Sequence, residues 1–373
     1  MSSTLPPPDP RWMREAVSEA RKGSGLTHPN PMVGAVAVRE GVAVGRGFHR
    51  GPGTPHAEVM ALRDAGAAGA RCDLYVTLEP CCTYGRTPPC TDLLIGAGVR
   101  RVIGGCEDPN PEVRGHGYER LREAGILVEE GFLIEEAVGV DPAYHIYHTE
   151  RRPFVFLKWA QSLDGRASLP GGGYLTGEPA RRIVHRDRRY CDAILVTAGT
   201  ILKDDPLLTV RTEGPSKKLL RIILDRRGRI TGRERVFGTC PERGGIRVVR
   251  PEGLGIPAPP GEGVDVMSVS AWGDGGDALG AVLADLYRER VMALYVEGVG
   301  RLSRLLLEER LLHRLSIHIA PVLIGEAGTV PAVGGDRSGD RTFPDLGRAR
   351  WRRAGSDWIA TLDFFDVPGH KGG

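Results

Sequence analysis

His56-Ala-Glu58, then Glu79-Pro80-Cys81, then Cys90 after eight intervening residues, limit what this chain can fold into more than any other feature of its sequence. One imidazole and two thiols have to converge from three separate segments, and a carboxylate has to arrive beside them. Zinc accepts such a donor set as a neutral imidazole and two thiolates, with the fourth tetrahedral position left for water. The two thiolates cancel the charge of the metal, so its Lewis acidity acts on the water, which then ionises near neutral pH. On this reading His56, Cys81 and Cys90 are the metal ligands and Glu58 carries the protons. A closed structural zinc site completed by Cys82 or Cys72 is one rival, and it leaves Glu58 without a task. Buried cysteines with no metal are another. Cys82 reads as a packed or semi-exposed thiol, because adjacent residues rarely both point at one ion.

The flanking pattern says where these residues should sit. A helix is expected over 11–22, ending at Gly23, followed by strands at 33–38 and 42–48 with Gly41 near the turn. Residues 56–65 read as a helix closed by Gly66, with His56 and Glu58 in its opening turn. Two residues are about 200° apart on a regular helix. Both can border one cavity only because the chain is still turning at the helix start. Residues 73–78 read as a strand that delivers Cys81 at its end. Pro88-Pro89 precede a helix over 90–97, whose N-terminus favours a thiolate at Cys90. With a strand at 101–104, the ligands alternate in a βα pattern. That predicts a three-layer α/β domain with the metal at strand ends.

At 373 residues two domains are the natural expectation, and Arg151-Arg152-Pro153 marks the break, giving domains over 1–150 and 151–373. Between Glu129 and His148 an acidic stretch and His145 and His148 read as a solvated or packed helical face. The formal net charge of +3 is small for this length, and there is no long Lys/Arg run with interleaved aromatics. Polynucleotide binding is therefore not indicated, and a free nucleotide-like substrate fits better. MSSTLPPPDPRW has no apolar core of a signal peptide, and no stretch approaches bilayer length. A reducing cytoplasm, where thiolates stay available, is the expected compartment.

In the second half, 154–158, 190–196, 219–224 and 293–297 read as strands, and 251–264 as a Pro/Gly-rich surface loop. Ser162-Leu163-Asp164-Gly165 turns out of the first of these strands. Glu297 runs into Gly298-Val299-Gly300 and then a helix with Leu302, Leu305, Leu306 and Leu312 at core spacing. A strand, a glycine turn and a helix N-terminus make a sound phosphate cradle, although any tight βα turn looks similar.

Longer strings add a resemblance. The known nucleobase-deaminase pattern is H-x-E followed by P-C-x-x-C, and this chain departs from it with eight residues between its cysteines. The string LEPCCTYGRTPPC, the N-P-x-V-G-x-V opening at Asn30–Val36, and Asp108-Pro109-Asn110-Pro111 with Gly115-His116-Gly117 resemble the deaminase half of the bifunctional riboflavin-biosynthesis deaminase–reductases. F-x-K-x-x-x-S-L-D-G-R from Phe156, T-x-G-T-x-x-x-D-D-P-x-L-T-x-R from Thr197, and Val296-Glu297-Gly298 resemble its reductase half.

The resemblance implies a cytidine-deaminase-like three-layer domain followed by a dihydrofolate-reductase-like α/β domain, with Zn²⁺ and NADPH as cofactors. It implies a pyrimidine ribose-phosphate substrate and a homo-oligomer. Asn30, Lys158, Arg188, Leu208, Arg211 and Glu297 would lie on the substrate side, and the Gly85-Arg86-Thr87 insert would help to shape the pyrimidine and ribose-phosphate pocket. Ala160, Tyr174, Thr200, Asp204, Gly298, Val299 and Gly300 would face the cofactor. Guanidinium groups suit a phosphate, which they bind in a bidentate way. Three departures fall in the reductase half. Val299 interrupts the usual V-E-G-G, Tyr174-Leu175-Thr176 follows Gly171–Gly173 where a Trp is common, and Leu312-His313-Arg314-Leu315 lacks the usual acidic residue. They keep open a deaminase-only protein, or a specialised-pathway paralogue with a weakened reductase domain.

Overall fold

The structure is a computed structural model and describes residues 6–84, 88–169, 172–212, 217–242, 244–270, 272, 276–325, 330–334 and 346–366. The Gly85-Arg86-Thr87 insert and Gly171 lie outside the described residues. The chain divides into two compact units, Met1–Arg151 with Asp366–Gly373, and Arg152–Phe365. Among the described residues no helix is long and apolar enough to cross a membrane.

In the first unit β1 (Gly34–Arg39) and β2 (Val42–Phe48) form an antiparallel hairpin. Its loop residues Glu40 and Gly41 both have positive φ, 53° and 73°, which matches the twist of the strands they join. β3 (Asp73–Val76) lies antiparallel to β1, and β4 (Arg101–Gly104) and β5 (Leu127–Glu129) follow in parallel, in the order β2-β1-β3-β4-β5. β3 stops short of the expected Leu78. Beyond Val76 the Thr77 hydroxyl accepts the Gly34 N–H, and the Glu79 N–H turns to the Cys106 carbonyl.

Successive strand residues face opposite sides, and both sides are covered. Val36, Val38, Tyr75 and Ile103 meet Trp12, Met13 and Ala16 of α1 (Pro10–Arg21). Ala35, Ala37, Leu74, Val76 and Val102 pack against α2 (Ala57–Ala65), α3 (Cys90–Gly96) and α4 (His116–Glu123). Two further helices, α5 (Ile134–Val138) and α6 (Pro142–Glu150), complete three layers, and His145 is buried in α6. Helix α2 lies on the strand backbone itself. A Cβ at Gly45 would fall 2.1 Å from the Ala61 carbonyl oxygen, and one at Gly47 would fall 2.2 Å from that of Ala57. This contact fixes where the first turn of α2, and with it Glu58, can be.

The second unit runs β6 (Phe154–Ser162), α7 (Glu178–Tyr190), β7 (Ala193–Thr197), α8 (Ala198–Asp204), β8 (Leu220–Leu224), β9 (Ile246–Pro251), β10 (Val264–Val269), α9 (Gly276–Arg288), β11 (Ala293–Glu297), α10 (Arg301–Glu308), β12 (Arg314–Ala320), β13 (Arg350–Ala354) and β14 (Asp357–Asp363). They build one sheet in the order β10-β9-β8-β7-β11-β6-β12-β14-β13. It is parallel from β10 to β12 and antiparallel over the last two strands. Val155, Leu157, Leu195, Leu294, Val296 and Leu315 are buried on one face beneath α9 and α10, including Leu302, Leu305 and Leu306. Full burial of each such side chain stabilises by about 1.5–3 kcal/mol.

On the other face Ala180 of α7 packs against Ala354 and Ile359. Tyr190 corrects one expectation: it ends this helix, and the strand begins only at Ala193. Only Ala180 and Val184 of α7 are buried, amid five arginines, so its apolar stripe is too thin to read.

Two outcomes are expected. Gly47→Ala should destabilise the first unit by about 1–3 kcal/mol, because strand and helix backbones must separate. Thermal unfolding identical to the parent would mean that α2 lifts freely. In the second unit Asp187 is 15% exposed on α7 and lines a cavity of about 250 Å³ with Phe156, Arg314 and Arg352. Burial outweighs the neighbouring arginines and pushes its carboxyl up to about 6. The folded state therefore keeps this proton to higher pH than an unfolded chain, whose Asp titrates near ~3.9. Stability falls as pH rises between those values and is level above them, by about 3 kcal/mol in all. Asp187→Asn should gain on the parent across that window, and parallel stability–pH curves would rule this out.

Candidate functional site

His56 is the N-cap of α2, with extended φ and ψ of −71° and 166°, while Glu58 lies inside the first turn. The two can therefore border one cavity despite their spacing. Cys90 opens α3, and its N–H donates to the Cys81 sulfur at 3.4 Å. His56 Nδ1 lies 3.2 Å from Cys90 Sγ and 3.5 Å from Cys81 Sγ, and the three donor atoms fall within 4.8 Å of one another. Zinc–sulfur and zinc–nitrogen bonds of about 2.3 and 2.0 Å give tetrahedral edges near about 3.5 Å. The triangle fits the metal. Among the described residues the donor group includes neither Cys72 nor Cys82. Cys72 is buried just before β3, with its thiol pushed up to about 11 by burial.

Without metal the two sulfurs share one proton, and the thiolate falls on Cys81 rather than on Cys90 as the helix N-terminus alone would favour. The Cys90 thiol donates to Cys81, which with His56 holds the Cys81 thiol down at about 4, and the same bond pushes Cys90 up. Glu58 is 3% exposed, and burial raises its carboxyl despite the nearby His56. Asn30 approaches from the loop before β1, its side-chain amide 3.1 Å from His49 Nε2. The His49 ring in turn meets the His56 ring edge-on, with centroids 5.2 Å apart.

A second cluster lies at the C-terminal end of β11 and the adjoining middle of the parallel strand β6. Lys158 and Glu297 are register partners. Arg188 grips the Glu297 carboxylate with two parallel bonds of 2.8 Å and donates to the Thr209 carbonyl at 3.1 Å. Its fork is thus engaged as a brace. Burial opposes ionisation of Glu297, but Arg188 and Lys158 outweigh it and hold the carboxyl low. Burial likewise lowers the Lys158 ammonium. Leu208 is buried at φ +53°. Arg211 is exposed, and its guanidinium lies on His185 Nε2 at 3.2–3.3 Å.

On the expected cofactor side, Thr200 sits in the first turn of α8, its N–H 3.4 Å from the Thr197 cap oxygen, and Asp204 ends that helix. Ala160 pairs with His318 of β12, and Tyr174 is exposed beneath the Arg181 guanidinium. Gly298, Val299 and Gly300 link β11 to α10. Gly298 allows Leu302 to approach, since a Cβ there would lie 2.5 Å from it. The Gly300 N–H is engaged with the Ala332 carbonyl at 3.0 Å, and Gly334 N–H returns to the Gly300 carbonyl. Residues 330–334 also bond Ala167 N–H and the Gly165 carbonyl, so they clasp the turn after β6 to the turn after β11.

Sequence reasoning missed His49, His185 and the anchoring task of Glu79. Oε2 of Glu79 accepts the N–H groups of Asp108 (3.1 Å) and Gly115 (2.9 Å), and Oε1 accepts that of Gly117 (2.8 Å). Its place in the LEPC string gave no sign of this, because the donors come from a segment that folds back.

Comparison with known proteins accords with this geometry. Residues 7–106 match the cytidine and deoxycytidylate deaminase zinc-binding region, and residues 153–360 match the RibD C-terminal domain. The riboflavin biosynthesis protein RibD of Aquifex aeolicus (strain VF5) is 41% identical over 328 residues, covering 87% of this chain and 90% of its own. The chain belongs to the RibD family. RibD of Escherichia coli (strain K12) is 37% identical over 339 residues, covering 85% and 89%. A crystal structure from Thermotoga maritima, described as a diaminohydroxyphosphoribosylaminopyrimidine deaminase/5-amino-6-(5-phosphoribosylamino)uracil reductase, superposes with a TM-score of 0.83 at 34% identity, covering 95% of this chain and 98% of its own. As a RibD protein this is a bifunctional enzyme of riboflavin biosynthesis, a deaminase and a reductase acting on small molecules with Zn²⁺ and NADPH. Its fold is the expected pair, cytidine-deaminase-like and then dihydrofolate-reductase-like.

Cys90→Ser should lower the zinc content of the purified protein, measured by elemental analysis. A full metal complement in that variant would remove Cys90 from the ligand set.

Proposed function

We propose that residues 1–150 deaminate 2,5-diamino-6-(5-phosphoribosylamino)pyrimidin-4-one and that residues 151–373 reduce the ribosyl chain of the resulting 5-amino-6-(5-phosphoribosylamino)uracil to ribityl. The observation that carries the first step is the His56–Cys81–Cys90 triangle with a buried carboxyl, Glu58, in the adjoining helical turn. His56, Cys81 and Cys90 would hold zinc, which when bound would supply the Lewis acidity that lets water ionise near neutral pH. Glu58 takes the proton from that water and passes it to the departing amine. Burial raises its carboxyl, which brings its proton affinity closer to that needed for both halves of the transfer. Asn30 contacts the pyrimidine ribose-phosphate.

For the second step a bound NADPH would supply the hydride for C1′ of the ring-opened sugar, and the protein's task is to hold the reacting atoms in near-attack geometry. Lys158 and Glu297 border the substrate and handle protons, with Arg188 fixing the Glu297 carboxylate. Leu208 and Arg211 complete the substrate side. Ala160, Tyr174, Thr200, Asp204 and the Gly298–Val299–Gly300 turn face the cofactor. Because the Gly300 N–H is engaged, that turn acts through its close backbone approach and the start of α10. The enzyme works as a homo-oligomer in the cytoplasm, without nucleic acid or membrane.

Glu58→Gln should retain zinc and lose ammonia release by about two orders of magnitude or more, and near-normal turnover would exclude Glu58 as the proton carrier. Glu297→Gln should slow NADPH oxidation while ammonia release continues at the parental rate. Loss of both activities in a folded protein would contradict the division into two sites.

A further inference from the structure

His49 follows β2 and is 3% exposed, and it lies outside the donor triangle although its ring touches that of His56. Each of its nitrogens has one partner. Nδ1 is 3.3 Å from the Pro55 carbonyl oxygen, which can only accept, so Nδ1 carries the hydrogen. Nε2 of the neutral ring is then a lone pair, and the Asn30 side-chain nitrogen at 3.1 Å donates to it. Asn30 is also held from behind. Its backbone N–H closes a turn on the Thr27 carbonyl at 2.8 Å. Two residues further on, Asp141 accepts the Met32 N–H at 3.0 Å and lies 3.3 Å from His28 Nε2. A carboxamide has one donor end and one acceptor end. With its NH₂ on His49, the end of Asn30 left to a ligand is the oxygen. An inverted carboxamide would set that oxygen against the Nε2 lone pair, two acceptors with no proton between them.

We propose that His49 is a positioning residue for the deamination step: fixed by the Pro55 carbonyl, it holds Asn30 with its carboxamide oxygen toward the pyrimidine pocket, so that the site selects a ligand presenting an N–H or O–H donor there. This rests on the assignment of Asn30 to substrate binding made above. Selectivity of this kind is strong, because a ligand without the donor leaves a buried acceptor unpaired.

A double-mutant cycle on the full-length, zinc-loaded enzyme tests it, with ammonia release from the diaminopyrimidine phosphate as the assay. His49→Phe keeps a ring against His56 but has neither nitrogen. Asn30→Leu removes the carboxamide, and His49→Gln restores an acceptor near the Nε2 position. Asn30→Leu and His49→Phe should each raise KM by about tenfold or more with kcat little changed and zinc at parental stoichiometry. The double variant should be no worse than either single one, and His49→Gln should recover most of the loss. A parental KM in His49→Phe beside a raised KM in Asn30→Leu overturns the proposal and leaves the substrate assignment standing. Multiplicative effects in the double variant, or zinc loss in both His49 variants, overturn it as well. An unchanged KM in Asn30→Leu instead removes Asn30 from the substrate pocket, and the proposal falls with it.

Discussion

The Glu79 carboxylate gathers four backbone N–H groups from the stretch between β4 and the first turn of α4, and the placement of the Cys81 end of the donor triangle follows from that grip. Cys81 lies only two residues beyond it, on chain that has already left the β3 ladder. Strand pairing therefore does not hold this ligand in place. The opposing segment is packed so closely that a Cβ at Gly117 would fall 2.1 Å from the Pro80 carbonyl oxygen. Charge-assisted bonds from N–H to carboxylate are about twice as strong as neutral ones. Without the carboxylate, buried donors would be left unpaired at a cost of about 1–3 kcal/mol each. One acidic side chain thus converts the end of a strand into a rigid platform for a metal ligand.

Both catalytic regions use the same physical device, a charged group whose options are closed by its neighbours. Arg188 clasps Glu297 so that the carboxylate stays ionised in a half-buried position beside Lys158. Further from the site, Asp225 and Arg250 form a buried pair, and Arg250 also donates to the Ile230 and Pro257 carbonyls. That pair anchors the chain after β8. Buried ion pairs of this kind add little net stability but penalise every arrangement that separates them.

Much of this was legible in the sequence because it is local. His56, Glu58, Cys81 and Cys90 are recognisable by residue type and spacing, and Gly23, Gly66 and Pro88-Pro89 punctuate the elements that carry them. What escaped depends on segments distant in sequence. Gly45 and Gly47 look like weaknesses in a strand until α2 is laid across them. Helix α7 is hidden because its buried face is narrow and its arginines dominate. Arg188 reads as a phosphate ligand until Glu297 occupies its fork, and His49 has no spacing relation that would connect it to Asn30.

The clasp of residues 330–334 has a consequence for the order in which the enzyme is made. The donor triangle, Glu58 and the Glu79 anchor with its partners all lie between His56 and Tyr118, so these groups can meet while later residues are still being synthesised. The reductase edge is different. Residues 330–334 join its turns after β6 and β11 through bonds to Gly165, Ala167 and Gly300, contacts of large sequence separation. Such contacts require the closure entropy of long loops before they return any stabilisation. The nascent chain can therefore assemble the His56–Cys81–Cys90 triangle early, whereas the clasp on the turns after β6 and β11 forms only once residues 330–334 have emerged.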